Sequence, residues 1–219
     1  GLGSHTFNGL FGATPNAWDA TVSGGGSSGG AAVALAQRLL PVADGSDFMG
    51  SLRNPAAWNH VFGLRPSQGR VPMWPTQDCW ISQLGTEGPM ARNPQDLAWL
   101  LSTLAGPDAR APLSLPGDPL QFRQPLQADL RGRRIGWLGD FGGYLPIEPA
   151  LLAANRATLA HFDTLGCPVE EVAPFFPMER LWRSWCVLRQ LILAGHLGGL
   201  YGNPATRELL KPEARWEFE

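Results

Sequence analysis

The sequence predicts an α/β protein, and three observations carry that reading. The last third alternates extended and helical patterns in strand-helix-strand order. The run "GAAVALAQRLL", Gly30 to Leu40, is apolar on nearly every side, as in a helix buried all round. A length of 219 residues with 44% hydrophobic content supports a sizeable core.

Residues 1–28, rich in Gly, Ser, Thr and Asn, read as loop with one or two short extended pieces. The helix from Gly30 to Leu40 leads into "LPVADGS", a short strand. "SLRNPAAWNHVFG" then reads as a second helix, with Asn54 as N-cap, Pro55 at the first helical position and Gly63 past its end. "VFGLRPSQGRV" follows as a strand with turn residues inside it, and Pro72 to Thr86 as a loop rich in Pro and Trp. In "NPQDLAWLLSTLAG" the helix signals recur: Asn93 as cap, Pro94 first, Asp96 near the positive helix end and Gly106 as stop. A Pro-rich linker, residues 107–130, separates this part from the rest. There "RRIGWLG" reads as a strand, "EPALLAANRATLAHFDTLG" as a helix ended by Gly166, and "CPVEEV" as a strand. "PMERLWRSWCVLRQLILAGHL" reads as a long helix with Leu181, Trp182, Trp185, Leu188, Leu191 and Ile192 near one face.

A formal charge of −2, spread without runs, offers no basic stripe for phosphates or anionic lipid, so neither nucleic acid nor membrane is an expected partner. No apolar run reaches the roughly 18 residues of a membrane span. Cys79, Cys167 and Cys186 form no metal-ligand spacing; they suit a reducing, cytoplasmic setting, and neither metal nor cofactor is expected. The first residues, "GLGSHTFNGL", carry no basic leader and no initiator Met, as in a segment that begins inside a longer protein. Of nine Trp, Trp74 and Trp80 lie in a loop where they could meet an acyl or aryl group, whereas Trp99, Trp182 and Trp185 have the helical spacing of core residues. The 17 basic residues comprise sixteen Arg and one Lys, Lys211.

Chemistry concentrates in two stretches, "SGGGSSGGAAVALAQ" from Ser23 and "DGSDFMGSLRNPAAW" from Asp44. A phosphate loop would need Lys-Ser or Lys-Thr after its last glycine, where this chain has Ala-Ala. Gly24, Gly26 and Gly29 meet the dinucleotide spacing, but no strand precedes them. Gly25-Gly26-Ser27-Ser28-Gly29 meets the G-x-S-x-G pattern of a nucleophile elbow, yet neither His161, inside a helix, nor His196 has the loop context of a triad base.

Taken together, the two serine clusters resemble the signature region of the amidase signature family, serine hydrolases that cleave carboxamides. The resemblance covers residues 23–72. It continues through "GTEGPMARNPQDLAWLLSTLAG" and a later strand-helix-strand unit at 133–173, so that 1–219 reads as a partial amidase domain. It implies a mixed central β-sheet covered by α-helices on both sides, and a Ser, cis-Ser, Lys triad. On these residues Ser51 is the nucleophile, Ser27 the bridging serine behind a cis peptide from Gly26, and Ser28 a support of the network. A serine hydroxyl needs a positioned base, which a buried, neutral lysine can provide through a hydroxyl relay. Backbone N–H groups of Phe48, Met49, Gly50 and Ser51 would hold the oxyanion, with Asp47 and Arg53 pairing to stiffen the loop.

Two departures from the pattern stand out. Met49 occupies a position where the family commonly has Gly, and it could line the acyl pocket. The family's lysine belongs to a strand well upstream of the bridging serine, whereas only 26 residues precede Ser27 and Lys211 lacks that context. The expectation is a fragment without its catalytic base and with little or no activity alone. Its expected partners are a small-molecule amide, together with a second copy of the chain or the absent segments of a parent. The alternatives are a component of a glutamine-dependent amidotransferase and a non-catalytic remnant of the fold.

Overall fold

Small apolar side chains let the first helix sit directly on a sheet. In the computed structural model, which describes residues 2–76, 78–81 and 83–219, α1 spans Gly29–Ala36 and buries Gly29, Ala32 and Leu35, positions three apart on one face. Gly1, Gln77 and Ser82, the last two within the loop expected from Pro72 to Thr86, lie outside the described residues.

The described residues fall into two units, one of residues 1–125 with 190–219, the other of residues 126–189. The first holds the two serine segments. A small hairpin pairs β1 (Phe7–Asn8) with β2 (Gly12–Ala13). Beyond it an antiparallel sheet has the order β3 (Val42–Asp47), β5 (Thr86–Ala91), β4 (Phe62–Gly63), with α2 (Arg53–Trp58) between β3 and β4 in sequence. Ala32 and Leu35 of α1, Leu52, Ala56 of α2 and Met90 of β5 form one buried cluster, against which Ala31, Ala43 and Val61 pack. Burying a Leu or Met side chain in this way contributes roughly 1.5–3 kcal/mol. α3 (Pro94–Leu104) follows the expected signals, with Asn93 Oδ1 accepting the Asp96 N–H at 2.8 Å.

In the second unit β6 (Ile135–Trp137) pairs in parallel with β7 (Val169–Glu171), joined through α4 (Pro149–Thr158) and α5 (Ala160–Thr164). α6 (Met178–Gly202) has residues on both sides of the division at Gln190, and α7 (Pro204–Arg207) and α8 (Pro212–Trp216) end the chain. The α/β class holds, with strands of both senses distributed over three small sheets.

Several boundaries differ from the sequence reading. α1 stops at Ala36, not Leu40, because Arg38 takes a left-handed φ of 62°. Arg38 N–H then reaches Leu35 O and Leu39 N–H reaches Ala34 O, a Schellman turn made without glycine. The helix is buried on one face only, and Leu39 and Leu40 are exposed. α2 begins at Arg53, and Asn54 is not its cap: Asn54 Nδ2 donates to Ser4 Oγ at 3.0 Å. It ends at Trp58, ahead of Gly63. The helix expected up to Gly166 is divided at Leu159. Trp99 and Trp182 are 55% and 54% exposed and thus are not core residues.

β5 is the strand that sequence patterns hide, since Gly88 and Pro89 sit in a strand with neighbours on both sides. Pro89 carbonyl accepts the Leu64 N–H at 3.1 Å, past the end of β4. The N–H that proline lacks would point to that same side, so pairing with β3 loses nothing. A Cβ on Gly88 would lie 2.3 Å from Leu64 O, so only glycine fits there.

Candidate active site

The glycines before Ser27 allow an unusually close backbone approach. A Cβ on Gly26 would lie 2.4 Å from the His5 carbonyl carbon and oxygen, and the Gly26–Ser27 peptide is cis. Thr6 braces this turn: its hydroxyl lies 3.0 Å from Gly25 O and 3.2 Å from Ser27 O, sharing one proton, and accepts the Gly29 N–H at 3.1 Å. Asn59, fully buried at the end of α2, donates to Gly24 O at 2.7 Å and to Pro55 O at 2.9 Å, and accepts the Ala17 N–H at 3.0 Å. His5 Nε2 in turn pairs with Glu213 Oε1 at 3.2 Å, anchoring the bracing segment to α8.

The second segment leaves β3 at Asp47 and turns into α2. Asp47 is fully buried, and its carboxylate accepts the Gly50 N–H at 2.7 Å, the Leu52 N–H at 3.3 Å, and two bonds from Arg53 at 2.9 and 3.0 Å. Burial alone would raise this carboxyl. The hydrogen bonds from Arg53, Gly50 and Leu52 with the Arg53 charge outweigh burial and hold it well below the usual carboxylate range. Arg65 Nη1 adds an ion pair at 3.1 Å and its Nη2 donates to Leu84 O at 2.8 Å. Asp47 thus ties the whole turn from Gly50 to Arg53 to the end of β3.

These two segments meet at main chain level: Ser28 N–H donates to Ser51 O at 3.2 Å. Ser28 Oγ also donates, at 3.4 Å, to Ser46 O. Ser51 is 3% exposed, while Ser27 and Ser28 are half-buried. Of the four backbone groups expected at an oxyanion, Gly50 N–H is engaged by Asp47 and does not point to an open position. Met49 is exposed, and the neighbouring cavity is walled by Phe48 and Met73 instead.

That cavity, about 260 Å³, reaches the Ser51-bearing turn at Ser46 and Phe48 and is closed on another side by Ile192, Leu193 and His196 of α6. His161, on α5, is exposed. Lys211 is committed elsewhere: Nζ donates to Phe7 O at 3.2 Å and lies 3.7 Å from the centre of the Phe7 ring. Trp74, preceding cis-Pro75, is half-exposed, with the Arg110 guanidinium 5.9 Å from its ring. Among the described residues no cluster of His, Cys, Asp and Glu has the makings of a metal site, and no helix is long and apolar enough to cross a membrane.

Sequence reasoning missed Thr6, Asn59 and Arg65. Each acts on backbone groups remote in sequence, and a lone Thr, Asn or Arg carries no local signature of that.

Comparisons with known proteins agree with the geometry. A family model described as Amidase matches residues 1–191. The A subunit of the glutamyl-tRNA(Gln) amidotransferase of Pseudomonas putida is 37% identical over 172 residues, which are 78% of this chain and 35% of that protein. Its counterpart in Methylococcus capsulatus is also 37% identical over 172 residues, with the same shares of each chain. The chain thus spans about a third of the length of these relatives. Among solved structures, a bacterial aryl acylamidase of the amidase signature family superposes with a TM-score of 0.89 at 29% identity, covering 99% of this chain and 46% of that one. A 6-aminohexanoate cyclic dimer hydrolase does so with 0.79 at 26%, covering 99% and 49%.

Proposed function

The chain belongs to the amidase signature family, and on that premise we propose that it is the serine-bearing core of an enzyme that hydrolyses carboxamide C–N bonds. Ser51 is the nucleophile, Ser27 the relay behind the cis peptide, and Ser28 the residue that fixes their spacing. The single observation that carries this reading is the Ser28 N–H to Ser51 O hydrogen bond at 3.2 Å, which joins a buried serine to a cis-serine turn.

In this reading Ser51 Oγ attacks the amide carbon while its proton passes to Ser27 and on to a base. The tetrahedral oxyanion is met by backbone N–H groups of Phe48, Met49 and Ser51; collapse expels the amine, which receives the proton back through Ser27, and water then hydrolyses the acyl-Ser51 ester to release the acid. Asp47, Arg53 and Arg65 hold the turn, so donors and nucleophile keep one geometry. Lys211 is the sole lysine of these 219 residues and its ammonium is engaged at Phe7, so it is not placed to serve as that base.

The test is hydrolysis of simple aryl amides. The 219-residue chain alone turns over little or no amide, and the longer protein carrying this segment does so, with Ser51→Ala lowering kcat by about 10³-fold or more. Turnover by the chain alone that Ser51→Ala abolishes overturns the assignment of the base.

A second reading is favoured by the 37% identity to the amidotransferase relatives: a glutamine-cleaving component that works with partner proteins. Glutaminase activity of the longer protein exceeding its aryl amidase activity would select it.

A further inference from the structure

We propose that α8 positions the relay serine, Ser27, through a two-point clasp in which Glu213 holds His5 and Lys211 holds Phe7. This rests on the reading of Ser27 as the relay and extends it to positioning residues near the other end of the chain.

Residues 5–7 carry the turn. Gly26 rests directly on the His5 backbone, with no room for a Cβ between them, so a displacement of one is passed to the other. Thr6 ties Gly25 O and Ser27 O through its hydroxyl. What fixes residues 5–7 in their turn is only partly local. Thr6 O accepts the Thr14 N–H at 2.9 Å, and β1 is a strand of two exposed residues in a two-stranded hairpin. Such a hairpin is marginal without further packing.

The second hold comes from α8. Glu213 Oε1 lies 3.2 Å from His5 Nε2. The Glu213 backbone N–H, outweighing desolvation and helped by His5 and Lys211, holds this carboxyl below its ordinary range, so it is ionised and accepts the Nε2 proton. Lys211 Nζ donates to Phe7 O at 3.2 Å and stands 3.7 Å from the centre of the Phe7 ring, which in turn lies 4.7 Å from the His5 ring. Thus His5 and Phe7 are gripped by α8 and its N-cap, while Thr6 between them serves the turn. α8 is itself fixed, with Ala214 fully buried and Phe218 stacked on Tyr201 of α6, ring centres 4.3 Å apart. Side chains of His5 and Glu213 are 31% and 44% exposed, so the pair adds little to global stability and its effect is local to the turn.

Amide hydrogen exchange of the 219-residue chain and hydrolysis of a simple aryl amide by the longer protein test this together. Glu213→Ala and Lys211→Met are each expected to speed exchange at the Ser28 and Gly29 N–H groups by about 10-fold or more, while the amides of α3 keep their rates. Glu213→Gln, which keeps an oxygen for His5, restores the slow exchange. In the longer protein Glu213→Ala lowers kcat by about 10-fold with KM unchanged, and Glu213→Gln recovers it. Unchanged exchange at Ser28 and Gly29 in either variant, or faster exchange spread over α3 as well, overturns the proposal. So does a parental kcat in Glu213→Ala when Ser27→Ala lowers it. A parental kcat in Ser27→Ala would instead sink the relay reading, and the exchange rates would still decide whether α8 holds the turn.

Discussion

Ser28 donates its backbone N–H to the carbonyl oxygen of Ser51 at 3.2 Å, so residues 23 positions apart share one rigid junction. A main chain bond is indifferent to side-chain rotamers, and it fixes how far apart the two backbone turns sit. The surrounding braces, Thr6, Asn59 and Asp47, all act on backbone atoms of the same two turns. Thr6 and Asp47 each yield a measurable expectation.

Thr6→Val keeps the shape of the side chain but deletes the hydroxyl that serves Gly25 O, Ser27 O and Gly29 N–H. A destabilisation of about 1–3 kcal/mol is expected from urea denaturation, with Thr6→Ser recovering most of it. A valine variant as stable as the parent would show that Thr6 does not brace the turn.

Asp47 fixes the sign of the acid response. Its folded-state pKa lies below the unfolded value of about 4, so the stability it contributes is present above that value and is lost as pH falls below it. The urea midpoint should therefore drop between pH 5 and pH 2, and more steeply than in Asp47→Asn. At pH 7 Asp47→Ala, which leaves the Gly50 and Leu52 N–H groups without their acceptor and the half-exposed Arg53 without its partner, should cost about 1–3 kcal/mol.

Glu87 responds the other way. Burial and the Asp44 charge raise its folded-state pKa, so the fold is disfavoured once the group ionises, and the penalty is absent at low pH. Glu87→Gln should raise the urea midpoint at pH 7 and leave it unchanged near pH 3.

The helix starts were legible wherever the cap is local. Asn93, Pro94 and Asp96 specify α3 within four residues, and the structure follows them. The cap of α2 was not legible, because the turn into it is held by Asp47, on the preceding strand, while Asn54 is drawn off to Ser4. α1 ended early through Arg38, a residue whose left-handed φ has no compositional signal. β5 was hidden by its own Gly88, which the close approach of Leu64 O requires, and by Pro89, whose missing N–H faces the end of β4. For the site, the serine-bearing motifs were visible as motifs, and the cis peptide falls where the family resemblance put it. The cavity was not visible, since its walls come from β3, β5 and α6, segments separated by about half the chain.

The central claim is that Ser51, rather than either serine of the glycine-rich turn, is the attacking group. An activated ester lowers the demand for a base, so the 219-residue chain can be acylated with 4-nitrophenyl acetate and the modified residue located by tandem mass spectrometry. The acetyl group is expected on Ser51, to be lost in Ser51→Ala, and to be absent from Ser27 and Ser28. Acetylation of Ser27 or Ser28 with Ser51 unmodified would contradict the claim.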